Sequence, residues 1–468
     1  MSVPTRERRP RASRKALVAV PNHRRDFESH TLVAYHLRTR HGMEVELCGL
    51  SGLTKSVLRS APDVLVLDYL TSGDRLAAAR AAKEIGTKLV ILPTAGFFHG
   101  DEDELRGAMK RPEVVALIDA YLAWGEAGRK VVCEATALEE ERVLVTGCPR
   151  FDSYRAPLVK TAEPKADLVR RMGLSNPNAP IVVWPTNTSF TDAEHFRGRM
   201  DEPLAKTTVN NSRTIYEEFR LLFRELSHRH PDWNFVVKMH PSEEVGPYRT
   251  LGTDRENVAV VTDVAIRDVL IHCTAVVQRF STTATEAWML EKPVLEYERG
   301  EYEGSVRADY LSGNHVVADI DAADQALMSY IAGARLSDAQ REARRAFLRS
   351  TYSNIDGRAA ERCAGIIAAL VAPLVYSDAQ QAGLRRAAAV ALEAHECAES
   401  KVLRNRVMDL LGLDRRRSLR AAVKGLMGRG ADAAPPPSWE QAVSAPEIGA
   451  AYERFDAIYR GVPRPLSA

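Results

Sequence analysis

The sequence predicts an α/β fold: two doubly wound parallel-sheet domains facing a cleft, followed by a helical C-terminal extension. Three observations predict it. Short apolar β-type runs alternate with helical segments from Ala16 to about Asp152, the alternation restarts at Ile181, and it stops beyond about Pro373. Strands buried on both faces and separated by crossover helices are what a parallel sheet requires, so each repeat reads as a Rossmann-like domain. With 468 residues, 45% of them apolar and 27% charged, the chain is long enough for each domain to bury its own core.

In chain order, residues 1–15 form a basic tail expected to be disordered. The ALVAVP that follows is too short for a signal-peptide core and reads as a first strand. The first domain, 16–155, then presents ALVAV (16–20), EVELCG (44–49), DVLVLDYL (63–70), KLVILP (88–93), AYLAWG (120–125) and RVLVTG (142–147). A linker, 156–180, carries polar residues, prolines and a short Leu168–Leu174 helix. The second domain, 181–372, has IVVWPT (181–186), NFVVKMHP (234–241), NVAVVTD (257–263), TAVVQRF (274–280) and PVLEYE (293–298). Between its first two strands Ile215, Phe219, Leu222 and Leu226 recur at spacings of three and four, the stripe of a buried helix face.

Residues 373–468 read as the helical extension. Within it 401–430 carries nine Lys/Arg against Asp409 and Asp414, and Leu419, Ala422, Val423, Leu426 and Met427 make a basic amphipathic helix. Such a helix suits either an anionic membrane surface or docking on the first domain. A last helix presents Tyr452, Phe455 and Tyr459 on one face, and the same choice applies to it.

Charge and cysteine usage exclude other classes. Lys+Arg 64 against Asp+Glu 62 gives +2, so no global field draws the protein to nucleic acid. Basic sequence without interleaved aromatics likewise argues against a nucleic-acid partner. No run reaches the roughly 18 apolar residues of a membrane-spanning helix. Six cysteines without a CxxC pair suggest neither a disulfide framework nor a zinc site, and a cytoplasmic location is expected.

Ligands of open parallel sheets bind outside the carboxyl ends of the strands, so the strand-end loops are where chemistry is expected. In the second domain NFVVK leads into Lys238, His240 and Pro241, a cation and an imidazole suited to an anion, or equally a strand cap beside a solvated lysine. TAVVQRF leads into Ser281, Thr282 and Thr283 at a helix start, where hydroxyls and free N–H groups favour a phosphate, with Arg279 just upstream. Glu286 fits two roles: the far end of a capping box from Thr283, or a carboxylate for ribose hydroxyls. Further cleft candidates are His23, Arg24 and Arg25 after the first strand, Asp68 after the third, and Trp184, Asn187 and Thr188 after the first strand of the second domain. Each equally suits a turn.

In the first domain the loop after KLVILP offers Gly96, Phe97, Phe98, His99 and the carboxylates Asp101, Glu102, Asp103 and Glu104. A general base near neutral pH needs a carboxylate or imidazole, and this loop supplies both. The competing reading is that the acidic run opens the next helix. Asp101-Glu102-Asp103 and Asp319-Ile320-Asp321 both fit a D-x-D metal pattern, and two matches show how unspecific it is.

The KMHP strand end, the STTATEAWMLEKPVL stretch, Gly147-Cys148-Pro149-Arg150-Phe151-Asp152 and Asp356-Gly357-Arg358-Ala359-Ala360-Glu361-Arg362 together resemble GT-B-type glycosyltransferases of bacterial surface polysaccharides. That group includes transferases using CMP-linked sugars such as Kdo or sialic acid, and the related CDP-glycerol glycerophosphotransferases. The resemblance spans roughly 16–372. It implies a GT-B-like fold, and a nucleotide and its phosphate held by His240, Pro241, Ser281, Thr282 and Thr283. It also implies a base in the first domain, for which Asp101 and Glu102 lead, although the familiar acidic-acidic-glycine order is replaced by Gly100 preceding the pair.

The leading expectation is a glycosyltransferase moving a sugar from a CMP-linked donor to a capsule or lipopolysaccharide glycan or another lipid-linked acceptor. The nucleotide sugar is a co-substrate, and no cofactor or metal is required, because helix N-termini and cations neutralise the leaving phosphate. The alternatives are CDP-glycerol or polyol-phosphate transfer, a UDP-N-acetylglucosamine 2-epimerase-like isomerase, and a non-catalytic glycan-binding relic.

Overall fold

A computed structural model describes residues 14–460 except 71–72, 95–108, 110, 189–201, 241–242, 244, 253–254, 299–307, 373–382, 384 and 397–442. Two six-stranded, all-parallel sheets form it. The first contains β1 (Lys15–Ala19), β2 (Glu44–Cys48), β3 (Val64–Leu67), β4 (Lys88–Ile91), β5 (Ala120–Ala123) and β6 (Val143–Val145), in the order β2-β1-β3-β4-β5-β6. The second contains β7 (Ile181–Pro185), β8 (Asn234–Lys238), β9 (Val258–Val261), β10 (Ala275–Gln278), β11 (Val294–Tyr297) and β12 (His315–Val317), in the order β12-β11-β10-β7-β8-β9. Every strand expected from the sequence is present. The unexpected one, β12, is a three-residue edge strand with a single buried side chain, too short to leave an apolar run.

The apolar runs are continuous because both sheet faces are covered. Along β1, Leu17 and Ala19 join one core layer while Ala16 and Val18 join the other. In the second sheet Val182 and Trp184 pack with Phe219, Leu222 and Leu226, the stripe read from the sequence, and Ile181 and Val183 face the opposite layer. Burying each such large side chain stabilises by roughly 1.5–3 kcal/mol.

Chain order and spatial order diverge at three places. Leu168, Val169, Met172 and Leu174, expected in a linker, are buried in the core layer of the second sheet. The helix Ala359–Val371, expected to close the second domain, returns instead to the first: Ala360, Cys363, Ala364, Ile367 and Val371 pack with Ala16, Val18 and Leu32. Its start is fixed by Asp152, whose carboxylate accepts from the backbone N–H of Ala359 at 2.9 Å and of Ala360 at 2.8 Å. Gly147, at φ +83°, lets the chain pass close beside this helix, since a Cβ there would lie 3.1 Å from that of Ala359. The two stretches Gly147–Asp152 and Asp356–Arg362 are thus two halves of one joint.

The third return is the helix Ala445–Tyr459, capped by Ser444 and Glu447. Its apolar face docks on the first-domain helix His23–His41: Phe455 is fully buried, Tyr452, Phe455 and Tyr459 surround the Tyr35 ring, and the Tyr35 hydroxyl donates to Asp456 at 2.9 Å. Ala388, with Ala391 and Leu392, also packs on the first domain. The basic segment 401–430 lies outside the described residues. Among the described residues no helix is long and apolar enough to cross a membrane.

Candidate functional site

A cavity of about 570 Å³ lies between the two domains, at the carboxyl ends of both sheets. Its volume falls in the range of roughly 300–1,000 Å³ found for small-molecule sites. It is bordered by the loop after β1, beside which the first sheet reverses its order, and by those after β7 and β10, the corresponding switch point of the second.

Lys238, Met239, His240, Thr186, Thr282, Thr283 and Glu286 line the second-domain wall. Lys238 ends β8 almost wholly buried, and its Nζ donates to the carbonyls of Met239 at 3.0 Å and Thr262 at 3.2 Å. Burial, and next the nearby Arg24, lower its pKa to about 8. Two carbonyls use two of the three ammonium protons and leave one for a ligand. The His240 ring opens onto the cavity but is hemmed in by protein; this enclosure, with Arg25 and Lys238, pushes it down to about 4, so it is neutral at pH 7. Its backbone N–H donates to the Thr186 hydroxyl at 2.8 Å, which fixes the loop against β7.

The loop after β10 is held from beneath. The Glu296 carboxylate accepts from the Phe280 N–H at 2.7 Å, from Asn314 at 2.9 Å and from Gln278, while the Tyr310 hydroxyl donates to the Ser281 carbonyl at 2.7 Å. Phe280 sits at φ +52°, a left-handed conformation that this network sustains in a non-glycine residue. Thr282 caps the short helix Thr283–Met289 without a side-chain hydrogen bond, so the capping box expected of Thr283 and Glu286 does not form. Glu286 accepts instead from the Tyr154 hydroxyl, which reaches across from the segment leaving the first domain.

His23, Arg24, Arg25, Thr94, Trp124, Arg150 and Tyr154 line the opposite wall, and Arg267, which follows β9, completes the rim. Arg25 forks onto Asp26 at 2.9 Å and reaches Thr94 at 3.1 Å. Arg267 pairs with Asp268 at 2.8 Å and with Glu28 at 3.2 Å. His23 meets Glu447 of the C-terminal helix at 3.2 Å. Arg24 and Arg150 differ: neither side chain has a hydrogen bond or ion pair among the described residues, and the buried Nε of Arg150 has no acceptor there, although its guanidinium lies over the Trp124 and Phe151 rings, 5.5 and 5.3 Å from their centroids. Burial works against the Arg150 charge, but Glu286 and the other nearby acidic groups more than offset it and raise its pKa. Among the described residues five cations (Arg24, Arg25, Arg150, Lys238, Arg267) line the cavity against three carboxylates (Glu28, Asp263, Glu286), which suits an anionic ligand.

The structure brings together His23, Arg24, Arg25, Lys238, His240, Thr282, Thr283 and Glu286 from among the sequence candidates, and moves others away. Trp184 is not at the cleft: it occupies the inward position of β7, stacked on Phe219 with ring centroids 4.9 Å apart. Asp68 is buried under a two-point pair with Arg75, both bonds at 2.7 Å. Thr188 is buried against the Tyr248 hydroxyl, and Asn187 donates to the Arg279 carbonyl at 2.6 Å. Arg279 points beneath its loop, where it donates to the Tyr297 carbonyl at 3.1 Å. The Ser281 hydroxyl turns inward and accepts from the Thr283 N–H at 3.3 Å. His99, Asp101, Glu102 and Pro241 lie outside the described residues.

Sequence reasoning gave no site role to Arg150, Tyr154, Thr186 or Arg267. Arg150 lies in the quoted Gly147–Asp152 stretch and, like Arg267, is a cation soon after a strand, which is the signal that could have found both.

Fold and site together define a GT-B-like protein, two α/β domains around a cleft suited to an anionic ligand. The sequence profile described as CDP-Glycerol:Poly(glycerophosphate) glycerophosphotransferase matches residues 103–369, more than half of the chain, and the chain belongs to this family. Among solved structures it is similar to the Staphylococcus aureus MnaA–UDP co-structure (14% identity, TM-score 0.52, covering 78% of this chain and 98% of that one). It is also similar to the wall teichoic acid polymerase TagF (12%, 0.51, 76% and 88%). A putative UDP-N-acetylglucosamine 2-epimerase from Listeria monocytogenes is similar too (12%, 0.51, 78% and 98%). At these identities the likeness is one of fold. No curated protein matches the chain.

Proposed function

We propose that the protein is a transferase that moves a sugar from a cytidine-nucleotide donor to a hydroxyl of a bacterial surface polysaccharide or lipid-linked glycan, releasing CMP. The observation that carries this reading is the cation-rich cavity, with Lys238, His240, Thr282 and Thr283 on one wall and the unengaged Arg24 and Arg150 on the other. Family membership favours a second reading on the same site, transfer of glycerol phosphate or another polyol phosphate from a CDP donor.

Both reactions leave CMP behind. In glycosyl transfer the bond from the anomeric carbon to the phosphate oxygen breaks; in polyol-phosphate transfer the acceptor oxygen attacks the β-phosphorus and the bond to the CMP oxygen breaks. Either way negative charge grows on the leaving phosphate, and preplaced cations and hydroxyls lining the cleft stabilise it most at that moment. Lys238 and Thr282–Thr283 take that role in this proposal. His240, neutral and held by its backbone, donates one hydrogen bond without adding charge. Deprotonating the acceptor falls to Asp101, Glu102 or His99, and the mechanism asks for no metal. A cytoplasmic enzyme with 401–430 on the inner membrane face completes the proposal.

The test is thermal shift with a panel of CMP-, CDP-, UDP- and GDP-linked donors, followed by nucleotide release. Stabilisation by cytidine nucleotides and acceptor-dependent CMP release are expected, and turnover of CMP-Kdo against CDP-glycerol separates the two readings. Absence of any nucleotide shift overturns both; epimerisation of UDP-N-acetylglucosamine without acceptor would make the protein an isomerase.

A further inference from the structure

A side chamber of about 10 Å³, the room of one water-sized oxygen, adjoins the main cavity and shares Ser29, Thr94, Trp124, Pro149 and Arg150 with it. Most polar side chains around it are engaged. Asp26 is held by Arg25, the Ser29 hydroxyl donates to the Asp26 carbonyl at 2.9 Å, the Thr94 hydroxyl accepts from Arg25, and the Trp124 Nε1–H donates to the Pro93 carbonyl at 3.0 Å. Two buried atoms on side chains lining it have no partner among the described residues: Nε2 of His30 and Nε of Arg150.

The two are complementary. Nδ1 of His30 lies 3.0 Å from the Asp26 carbonyl, which can only accept, and 3.3 Å from the Ser29 hydroxyl, whose one proton goes to that same carbonyl, so Nδ1 carries the proton and Nε2 a lone pair. Burial, His30 being 3% exposed, lowers the imidazole pKa against the raising effect of Asp26 and keeps the ring neutral. Arg150 Nε–H can only donate. One oxygen bearing a hydrogen satisfies both, accepting from Arg150 and donating to His30, whereas an anionic oxygen has no proton to give and an apolar group leaves both unmet.

We propose that this chamber is a hydroxyl-reading subsite of the cavity, in which one alcohol O–H of the polyol or sugar handled there sits between Arg150 and His30. The inference rests on the transferase reading above and adds to it a residue, His30, that selects hydroxylated substrates. An ordered water has the same donor and acceptor chemistry, and a substrate hydroxyl entering the chamber takes its place. A site built to bind a hydroxyl rejects the analogue lacking it, because the buried partners are then left unpaired.

The full-length protein, saturated with CMP, is titrated calorimetrically with glycerol 3-phosphate and with propyl phosphate, which lacks both hydroxyls. Wild type is expected to prefer glycerol 3-phosphate by about tenfold or more. His30→Leu should lose that preference, and His30→Gln, which retains an acceptor, should recover part of it. Side-chain nitrogen NMR of wild type, assigned with His30→Gln, provides a readout independent of the Leu variant's folding: the His30 Nε2 resonance shifts with glycerol 3-phosphate and not with propyl phosphate. Equal binding of the two probes by wild type means that the chamber holds water alone and overturns the proposal, as does undiminished preference in His30→Leu or an unmoved Nε2 resonance. Failure of wild type to bind CMP would count against the transferase reading itself.

Discussion

The two walls of the cavity are built on different principles. On the second-domain side the ligand-facing groups are secured by the protein: Lys238 is tied to two carbonyls, His240 to Thr186, and the 278–283 loop to Glu296. On the first-domain side Arg24 and Arg150 have no such ties among the described residues. Where the wall is satisfied internally, geometry is fixed before a ligand arrives; where cations stand unengaged, the ligand supplies the missing charge. The first arrangement favours stability and orientation, and the second favours affinity at a cost to stability.

Substitutions on the two walls should therefore fail differently. Lys238→Met is expected to have the largest effect, a loss of about 10²–10³ in kcat, measured by CMP release. Arg150→Met should lower kcat/KM by about 10–100-fold, in the range of a lost charged hydrogen bond, while lowering the melting temperature only slightly, because the attraction of Glu286 and the contacts with the Trp124 and Phe151 rings are lost but no side-chain hydrogen bond or ion pair among the described residues is. A clear fall in melting temperature would show that Arg150 is a structural residue and erase the contrast between the walls. Glu296→Ala should do the reverse, losing about 1–3 kcal/mol in urea unfolding as Asn314, Gln278 and the Phe280 N–H lose their acceptor.

The smallest effect is a pH dependence. Lys238 titrates near 8 in the folded chain against 10.5 when free. Nucleotide affinity should be full below that value and decline as pH rises through it. Stability responds with the opposite sign: between about 8 and 10.5 the unfolded chain binds more protons at this residue, so its contribution to stability rises with pH. Lys238→Met should flatten both slopes, checked by CMP titration and urea unfolding across pH.

Much of this molecule was legible from residue pattern. Both sheets could be read because their inner strands are covered on two faces, leaving runs such as LVILP that neither a loop nor an exposed strand carries. Lys238, His240 and Thr282–Thr283 could be read because one strand end and one helix start bring them together locally. Trp184 misled because a strand end also has an inward position, and periodicity alone does not say which residue takes it. The pairing of Tyr154 with Glu286 and the return of Ala359–Val371 to the first domain depend on packing between segments 130 or more residues apart, and no local signal encodes that. An apolar stripe such as Ala360, Cys363, Ala364, Ile367 announces a core without naming which one.

That returning helix bears on how the chain matures as it is synthesised. The first sheet is complete once Val145 has emerged, but one of its core layers stays open to solvent until Ala359–Val371, and then Phe455, follow. The second sheet, encoded between these two contributions, has all its strands by Val317 and packs Phe347 and Tyr352 soon after. The domain made first is therefore expected to finish folding last, and ribosome-bound chains stalled before residue 359 should expose an apolar face for chaperones to hold.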